Sequence, residues 1–262
     1  MAKRWTKQEA DLRRSELERL YIKENRTISQ IGSILDISYK TIYDRLIRLN
    51  IPRAPEKKSS YLNIREDIKI PIHYSDEIAE FFGVMLDDRN LSHFQVAVTL
   101  GNKEENYSEY ISLLIKHIFH AKPKIAISSK GNYRTVYLSS VIASQWLQSE
   151  GLVFNKVRSQ IDMPKWIFSQ DSYMEKCARG FFDTDGSVYR LKYGVQISFT
   201  NHSKPLLFSL QRLLRQLGYR VSEITGHRFY ITRDYDLRRF LNEIQPHNQK
   251  HLERFKTFLN IS

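Results

Sequence analysis

Cysteine is almost absent: Cys177 is the only one in 262 residues. A lone thiol can make neither an internal disulfide nor a thiolate zinc site, which argues against a secreted scaffold or a zinc finger and fits a reducing compartment. Cys177 is expected to be a core thiol. Long apolar runs are missing too: nothing approaches the roughly 18 residues that a membrane span needs. The opening Met1-Ala-Lys-Arg-Trp5 lacks the apolar stretch of a signal peptide. The expectation is a soluble intracellular protein of cytoplasm, nucleoid or organelle matrix, with no membrane partner. No Walker loop and no dinucleotide fingerprint occurs, and no small-molecule substrate is expected. Negative charge is in deficit, with 29 Asp+Glu against 41 Lys+Arg and a net charge of +12. Such a field attracts polyanions, most often nucleic acid.

What is present suffices for a core. Hydrophobic residues make up 41% of the chain, and its length suits one large domain or two smaller ones. Charge is denser at the start: residues 1–70 carry 16 Lys+Arg against 10 Asp+Glu, the remaining 192 carry 25 against 19. Between these parts, Ile51-Pro-Arg-Ala-Pro-Glu-Lys-Lys-Ser-Ser60 combines two prolines with a charge run and excludes a helix interior or central strand. The expected division is a first domain over 1–51, a linker over 52–72 and a larger domain over 73–262.

In the first domain Thr6-Lys-Gln-Glu9 reads as a capping box opening a helix to about Glu24. Two short amphipathic patterns follow. Ile28, Ile31, Ile34 and Leu35 form one stripe, Ile42, Leu46 and Leu49 another, with Asp36-Ile-Ser38 as turn and cap. The pattern resembles a helix-turn-helix over about residues 15–50, with Gly32 where that family usually has Ala and Asp36 where it usually has Gly. Asp tolerates the left-handed turn conformation better than most residues. The resemblance implies that Tyr39, Lys40, Thr41 and Arg45 face DNA; the alternative is a small helical docking bundle.

The larger domain repeats itself. Phe81-Phe-Gly-Val-Met-Leu-Asp-Asp-Arg89 matches Ala178-Arg-Gly-Phe-Phe-Asp-Thr-Asp-Gly186 at an offset of 97, and Gln95-Val-Ala-Val-Thr99 matches Gln196-Ile-Ser-Phe-Thr200 at 101. The four extra residues are assigned to the turn Tyr189 to Gly194. Val136-Tyr-Leu-Ser139 matches Phe229-Tyr-Ile-Thr232 at 93, and Asn155-Lys156 matches Gln249-Lys250 at 94. Four matches in order define repeats of about 73–165 and 166–262. Each reads as helix, two strands, helix, two strands, helix, an α+β unit. Ser75 or Asp76 caps the first opening helix, and Ser172-Tyr-Met-Glu175 reads as a capping box for the second. Along the strands the period is two: Val96, Val98, Val136, Leu138, Ile197, Phe199, Phe229 and Ile231 face a core. Gln95, Thr99, Thr135, Tyr137, Gln196, Ser198, Thr200, Arg228 and Tyr230 face away from it. Helices over Glu105–His120 and Lys204–Leu217 should cover the apolar faces.

Gly83–Arg89 and Gly180–Gly186 resemble the two copies of the signature motif of the single-chain LAGLIDADG homing endonucleases, over about residues 75–262. The resemblance implies two pseudo-symmetric αββαββα repeats forming a DNA-binding saddle, with the motif helices packed along a pseudo-twofold axis. It makes Asp88 and Asp185 catalytic ligands of a divalent metal, Mg²⁺ or another such as Mn²⁺, with the carbonyls of Asp87 and Thr184 as weaker ligands. Hard cations take oxygen donors, and a bound cation relieves repulsion between paired carboxylates. Lys156, 68 residues after Asp88, and Lys250, 65 after Asp185, take the place of the family's basic residue downstream of each motif. They would stabilise charge or orient water, against the alternative of solvated surface lysines. The first motif departs from the pattern, with Arg89 for the terminal Gly and Asp87 for a small residue. Arg89 is then either a phosphate clamp or a mark of decay.

The implied function is a site-specific, metal-dependent DNA endonuclease acting as a monomer on double-stranded DNA, with the helix-turn-helix adding flanking contacts. The alternative is a non-cleaving DNA-binding regulator, a nickase or an RNA-splicing maturase on the same scaffold. Gln95 and Gln196 suit adenine and Arg228 guanine, whereas Arg134, Arg190 and Lys192, at turns or strand ends, suit phosphates. His247 and His251, spaced i,i+4, are expected at the surface or on phosphate rather than as a zinc pair, and Trp146 and Trp166 as core anchors.

Overall fold

A computed structural model of the chain describes residues 7–24, 26–49, 51, 67–86, 90–128, 131–153 and 160–259. The chain divides into two compact units, Met1–Asn63 and Ile64–Ser262.

In the first unit α1 (Lys7–Glu18) runs into a π-helical turn, Arg19–Lys23, and is followed by α2 (Ile28–Leu35) and α3 (Tyr39–Arg48). Thr6, the expected cap of α1, lies outside the described residues. The start of α2 is held by a capping box that sequence reasoning missed: Gln30 N–H donates to Thr27 Oγ1 while Thr27 N–H donates to Gln30 Oε1. Asp36 takes the left-handed conformation, φ 51°, and Ser38 Oγ accepts from Thr41 N–H to open α3. A Cβ on Gly32 would lie 2.7 Å from the Ile37 carbonyl oxygen, so the chain turns too tightly there for a side chain. Leu17, Leu20, Ile31, Ile42, Leu46 and Ile51 form the core.

The second unit opens with α4 (Asp76–Leu86), where Ser75 Oγ accepts from Ile78 N–H. Then come β1 (Asn90–Ser92), β2 (Gln95–Gly101), α5 (Glu105–Phe119), β3 (Lys124–Ile127), β4 (Tyr133–Ser139) and α6 (Val141–Ser149). The strands form an antiparallel sheet of order β1-β2-β4-β3, with Val98 opposite Val136. After a 3₁₀ turn at Lys165–Ser169 the pattern resumes with α7 (Asp171–Asp185), β5 (Ser187–Leu191), β6 (Gly194–Thr200), α8 (Lys204–Gln216), β7 (Arg228–Ile231), α9 (Asp234–Glu243) and α10 (Gln249–Leu259). The eight strand residues expected to face the core do so, each fully buried. Trp146 and Trp166 pack edge-on against Phe82 at the core margin, and Trp166 stacks on Tyr74.

Three local expectations change. Helix α7 starts at Asp171, with Gln170 as a cap that makes no side-chain bond, so Ser172 does not open a capping box. The four extra residues of the second repeat lengthen the hairpin itself: both hairpins close on two residues, but β5 pairs over five residues where β1 pairs over three. The second sheet has three strands, order β5-β6-β7, among the described residues. Residues 219–224 lie where a fourth strand was expected. Ser222 N–H does reach Tyr230 O at 2.8 Å, but the returning Tyr230 N–H goes to Ser222 Oγ, and the Ser222 carbonyl accepts from Gln211 Nε2. Side chains thus take the groups a ladder would use.

Candidate active site and nucleic-acid interface

Helices α4 and α7 cross at close range within the second unit. A Cβ on Gly83 would run into the Cys177 carbonyl oxygen, and one on Gly180 into the Glu80 carbonyl oxygen. Gly83 and Gly180 are 97 positions apart, and so are Glu80 and Cys177, so the repeat offset exchanges the two contacts and a local twofold passes between the glycines. Leu86 ends α4 three residues past Gly83, and Asp185 ends α7 five residues past Gly180. Asp185 is partly exposed at that helix end. Gly186 follows it against the Phe182 ring, into which a Cβ would run.

One flank of the helix pair is apolar, with Cys177 and Phe82; burial pushes the Cys177 thiol up to about 12 and makes it inert. The other flank is a buried polar network. Glu80 Oε1 accepts from Tyr110 OH at 2.7 Å and faces His247 Nδ1 at 3.2 Å, and Glu80 Oε2 pairs with Arg179 at 3.4 Å. Arg179 also donates to the Ile244 carbonyl at 2.6 Å. Asp183, fully buried in the motif, accepts from the backbone N–H of His247 at 2.8 Å and of Asn248 at 3.1 Å, capping the approach to α10. Burial pushes the Asp183 carboxyl up to about 7, against the pull of those two amides.

Beside Asp183, Asn248 Nδ2 donates to the Asp183 carbonyl at 2.9 Å and to Glu104 Oε1 at 2.6 Å, and Lys250 Nζ pairs with the same Glu104 oxygen at 2.8 Å. Burial pulls the Glu104 carboxyl up, but bonds from Lys250 and Asn248 outweigh it and hold it below the usual range.

Glu80, Asp183 and His247 have ligand atoms within 4.8 Å of one another. Their donors could take a divalent cation, but Asp183 already serves the amides before α10 and Glu80 serves Arg179 and Tyr110. The geometry makes this trio a structural lock between α4, α7 and the segment before α10.

The model of the LAGLIDADG-like domain family matches residues 176–245. The second repeat is similar to a LAGLIDADG-like domain over those residues. Among curated proteins, the replication factor C small subunit of Methanocaldococcus jannaschii is 21% identical over 262 residues, covering 94% of this chain and 14% of that protein. The DNA polymerase of Thermococcus kodakarensis is 24% identical over 140 residues, covering 53% of this chain and 8% of that protein. The chain thus spans about a seventh or less of the length of the curated relatives it matches. Among solved structures, I-DmoI in complex with DNA and Mn superposes at a TM-score of 0.45 with 17% identity, covering 64% of this chain and 96% of that one. The N-terminal LAGLIDADG domain of DUF199/WhiA superposes at 0.47 with 16% identity, covering 71% and 90%.

Of the residues singled out for chemistry, Asp87, Asp88, Arg89 and Lys156 lie outside the described residues. In the second repeat Asp185 stands at the helix end, and Thr184 is buried with its hydroxyl on the Gly180 and Phe181 carbonyls. Lys250 is ion-paired with Glu104 rather than solvated. Glu104, Asn248, Glu80, Arg179 and Tyr110 were missed, because only folding brings 80, 104, 179 and 248 together; the acidic Asp183 inside the motif was the one visible signal.

On the open sheet faces, Gln95, Thr99, Tyr137, Gln196, Thr200 and Tyr230 are partly exposed and Arg228 exposed; Arg190, opposite Val195 on the other face, and Lys192, in the β5–β6 turn, are exposed as well. The expectations for Arg134 and Ser198 are corrected. Arg134 is 6% exposed and donates to Ser108 Oγ and the Asn102 carbonyl, so it is a buried structural cation, not a phosphate contact. Ser198 keeps the outward register of Gln196 and Thr200 but is enclosed between Ser187 and Tyr230. Tyr189 and Leu191, not foreseen, share that face by register and are exposed. Of the two histidines expected at the surface, His247 is exposed there and leans on Glu80, whereas His251 is fully buried 4.5 Å from the Phe182 ring. In the first unit Tyr39 and Lys40 are exposed on α3 with Tyr43 and Ile47, while Thr41 Oγ1 bonds Ser38 and Arg45 is half-buried. Burial, and then the charge of Arg13, lowers the Arg45 pKa.

Proposed function

We propose that the chain is a site-specific, metal-dependent DNA endonuclease that cuts both strands of a long target as a monomer. The observation that carries this reading is the glycine crossing of α4 and α7. Two helices that touch through backbone and end within about a turn of the contact deliver the carboxylates at their ends to one axis. Asp185 ends α7, and Asp88 follows the last residue of α4 by two.

The donors fit a hard divalent cation: carboxylate oxygens at a partly exposed helix end, with Asp183 turned to structural use. Asp185 and Asp88 would hold Mg²⁺ or Mn²⁺, with the Thr184 and Asp87 carbonyls beside them. The cation supplies a lowered water pKa and charge stabilisation at the phosphoryl and leaving oxygens. Lys250 and Lys156 neutralise charge developing on the phosphate. Gln95 and Gln196 read adenine edges and Arg228 guanine from the open sheet faces, while Arg190 and Lys192 hold phosphates. Tyr39 and Lys40 of α3, with Tyr43 beside them, add contacts on flanking DNA. The net charge of +12 supplies the attraction.

The test is a supercoiled plasmid carrying the genomic sequence that flanks the gene, incubated with and without Mg²⁺. Linear product in Mg²⁺ alone supports the reading, and nicked circles make the chain a nickase. Footprinted but intact DNA makes it a non-cleaving regulator and refutes the nuclease.

A further inference from the structure

Lys250 is held by a carboxylate from the other repeat. Glu104 stands at the N-cap position of α5 but makes no capping bond to its own helix. Its Oε2 instead accepts from Gly101 N–H at 2.6 Å, while its Oε1 accepts from Asn248 Nδ2 at 2.6 Å and Lys250 Nζ at 2.8 Å. The Glu104 side chain is 15% exposed and the Lys250 side chain 34%, so this pair is largely sheltered from water. Asn248 also accepts from Lys250 N–H at 3.2 Å and donates to the Asp183 carbonyl, two residues before Asp185. A continuous chain of bonds therefore runs from the motif helix α7 through Asn248 to Glu104 and the Lys250 ammonium.

We propose that Glu104 of the first repeat is the positioning residue for Lys250 of the second, holding its ammonium where it meets the scissile phosphate of one strand. A lysine stem is flexible and loses much rotamer freedom when fixed, so an ammonium placed before substrate arrives acts without that loss at the moment of reaction. Lysine has three N–H donors, and two remain for a phosphate while one holds Glu104. Residues 201–206, Asn-His-Ser-Lys-Pro-Leu, occupy the corresponding turn of the second repeat and contain no acid, so that turn offers Lys156 no matching carboxylate. The catalytic consequence rests on the endonuclease reading; the pairing does not.

The experiment compares wild type, Glu104→Gln, Lys250→Met and the double variant on a duplex labelled separately on each strand, in saturating Mg²⁺. Glu104→Gln keeps the shape and removes the charge. It is expected to slow one strand by about tenfold to a hundredfold through misplacement of the ammonium, leaving the other strand and the affinity for DNA nearly unchanged. In the Lys250→Met background Glu104→Gln should have no further effect, because it acts through Lys250. Equal slowing of both strands, or effects that multiply, would overturn the assignment and make Glu104 a stability residue. A second readout needs no cleavage: acylation of Lys250 by an N-hydroxysuccinimide ester, followed by peptide mass spectrometry, should speed up severalfold in Glu104→Gln while Lys165 and Lys204 react as before. An unchanged Lys250 rate overturns the pairing. If wild type cuts nothing, the endonuclease reading and the catalytic consequence fall together, and the acylation rate still decides the pairing. If Glu104→Gln melts early, Glu104→Asp, which keeps the charge but draws it back by one methylene, takes its place in both arms.

Discussion

Two residues near the end of the second motif helix differ in what their environment allows. Asp185 is partly exposed at the end of α7, and Asp183, two positions earlier, is buried and committed to the amides before α10. Only the first stands where a cation from solvent can reach it. Asp185→Asn should therefore abolish cutting while target affinity stays within about tenfold, because the carboxylate serves the metal rather than base readout; gel shift and cleavage on the same duplex separate the two, and normal cutting in Mg²⁺ would refute the assignment. His251 supplies a pH signature. Burial pushes its imidazolium down to about 3 from an ordinary value of 6.5. Between those values the unfolded chain binds a proton that the folded chain refuses, so stability is lost as pH falls from about 6.5 toward 3. The slope contributed is at most ~1.4 kcal/mol per pH unit. Urea melts at pH 7 and pH 5 should show a steeper loss for wild type than for His251→Phe, whose ring takes the place of the imidazole beside Phe182.

Among elements, the α4–α7 contact has no tolerance for volume. The atoms facing Gly83 and Gly180 are backbone atoms, carbonyl oxygens nearest, which cannot rotate away as a side chain would. Gly180→Val should cost about 3 kcal/mol or more, near the top of the range for overpacking, whereas a valine at Gly226, where nothing lies within 4 Å, meets no neighbour and bears only the cost of its positive φ. Equilibrium denaturation of the two variants measures the contrast, and equal losses would mean that the helices separate easily. The two sheets end differently. The first repeat completes four strands, while in the second the Ser222 hydroxyl and the Gln211 amide take the groups of Ser222 and Tyr230 that a fourth strand would pair.

For the molecule as a whole, the two compact units predict a separable contribution to binding. The first unit has its own core, Leu17 to Ile51, and among its described residues contains no strand or motif of the repeat. Removing residues 1–63 should leave a folded remainder that still cuts. The slope of log affinity against log salt should shrink by about 0.9 for each phosphate that the shortened chain no longer neutralises, and the footprint should shorten on one side only. An unchanged slope and footprint would mean that Tyr39 and Lys40 do not touch DNA, and that the first unit is a docking bundle.

The repeat and the faces of its strands were legible in the amino-acid order alone, whereas the packing of its motif helices was expected from the family resemblance. The first two follow from local periodicity and from a pattern copied at offsets of 93 to 101 residues. The turn between α2 and α3 was legible too, because Asp36 and Ser38 act on their immediate neighbours. Folding settled whatever depends on groups far apart in the chain meeting in low dielectric. Arg134 reads as a surface cation until α5 closes over it, His251 as a helix-surface residue until Phe182 covers it, and Lys250 shows no partner until Glu104, 146 positions away, reaches it. A charge or an imidazole carries no mark of its partner in its own neighbourhood of sequence, so its role is fixed only when the packed chain removes water and supplies that partner.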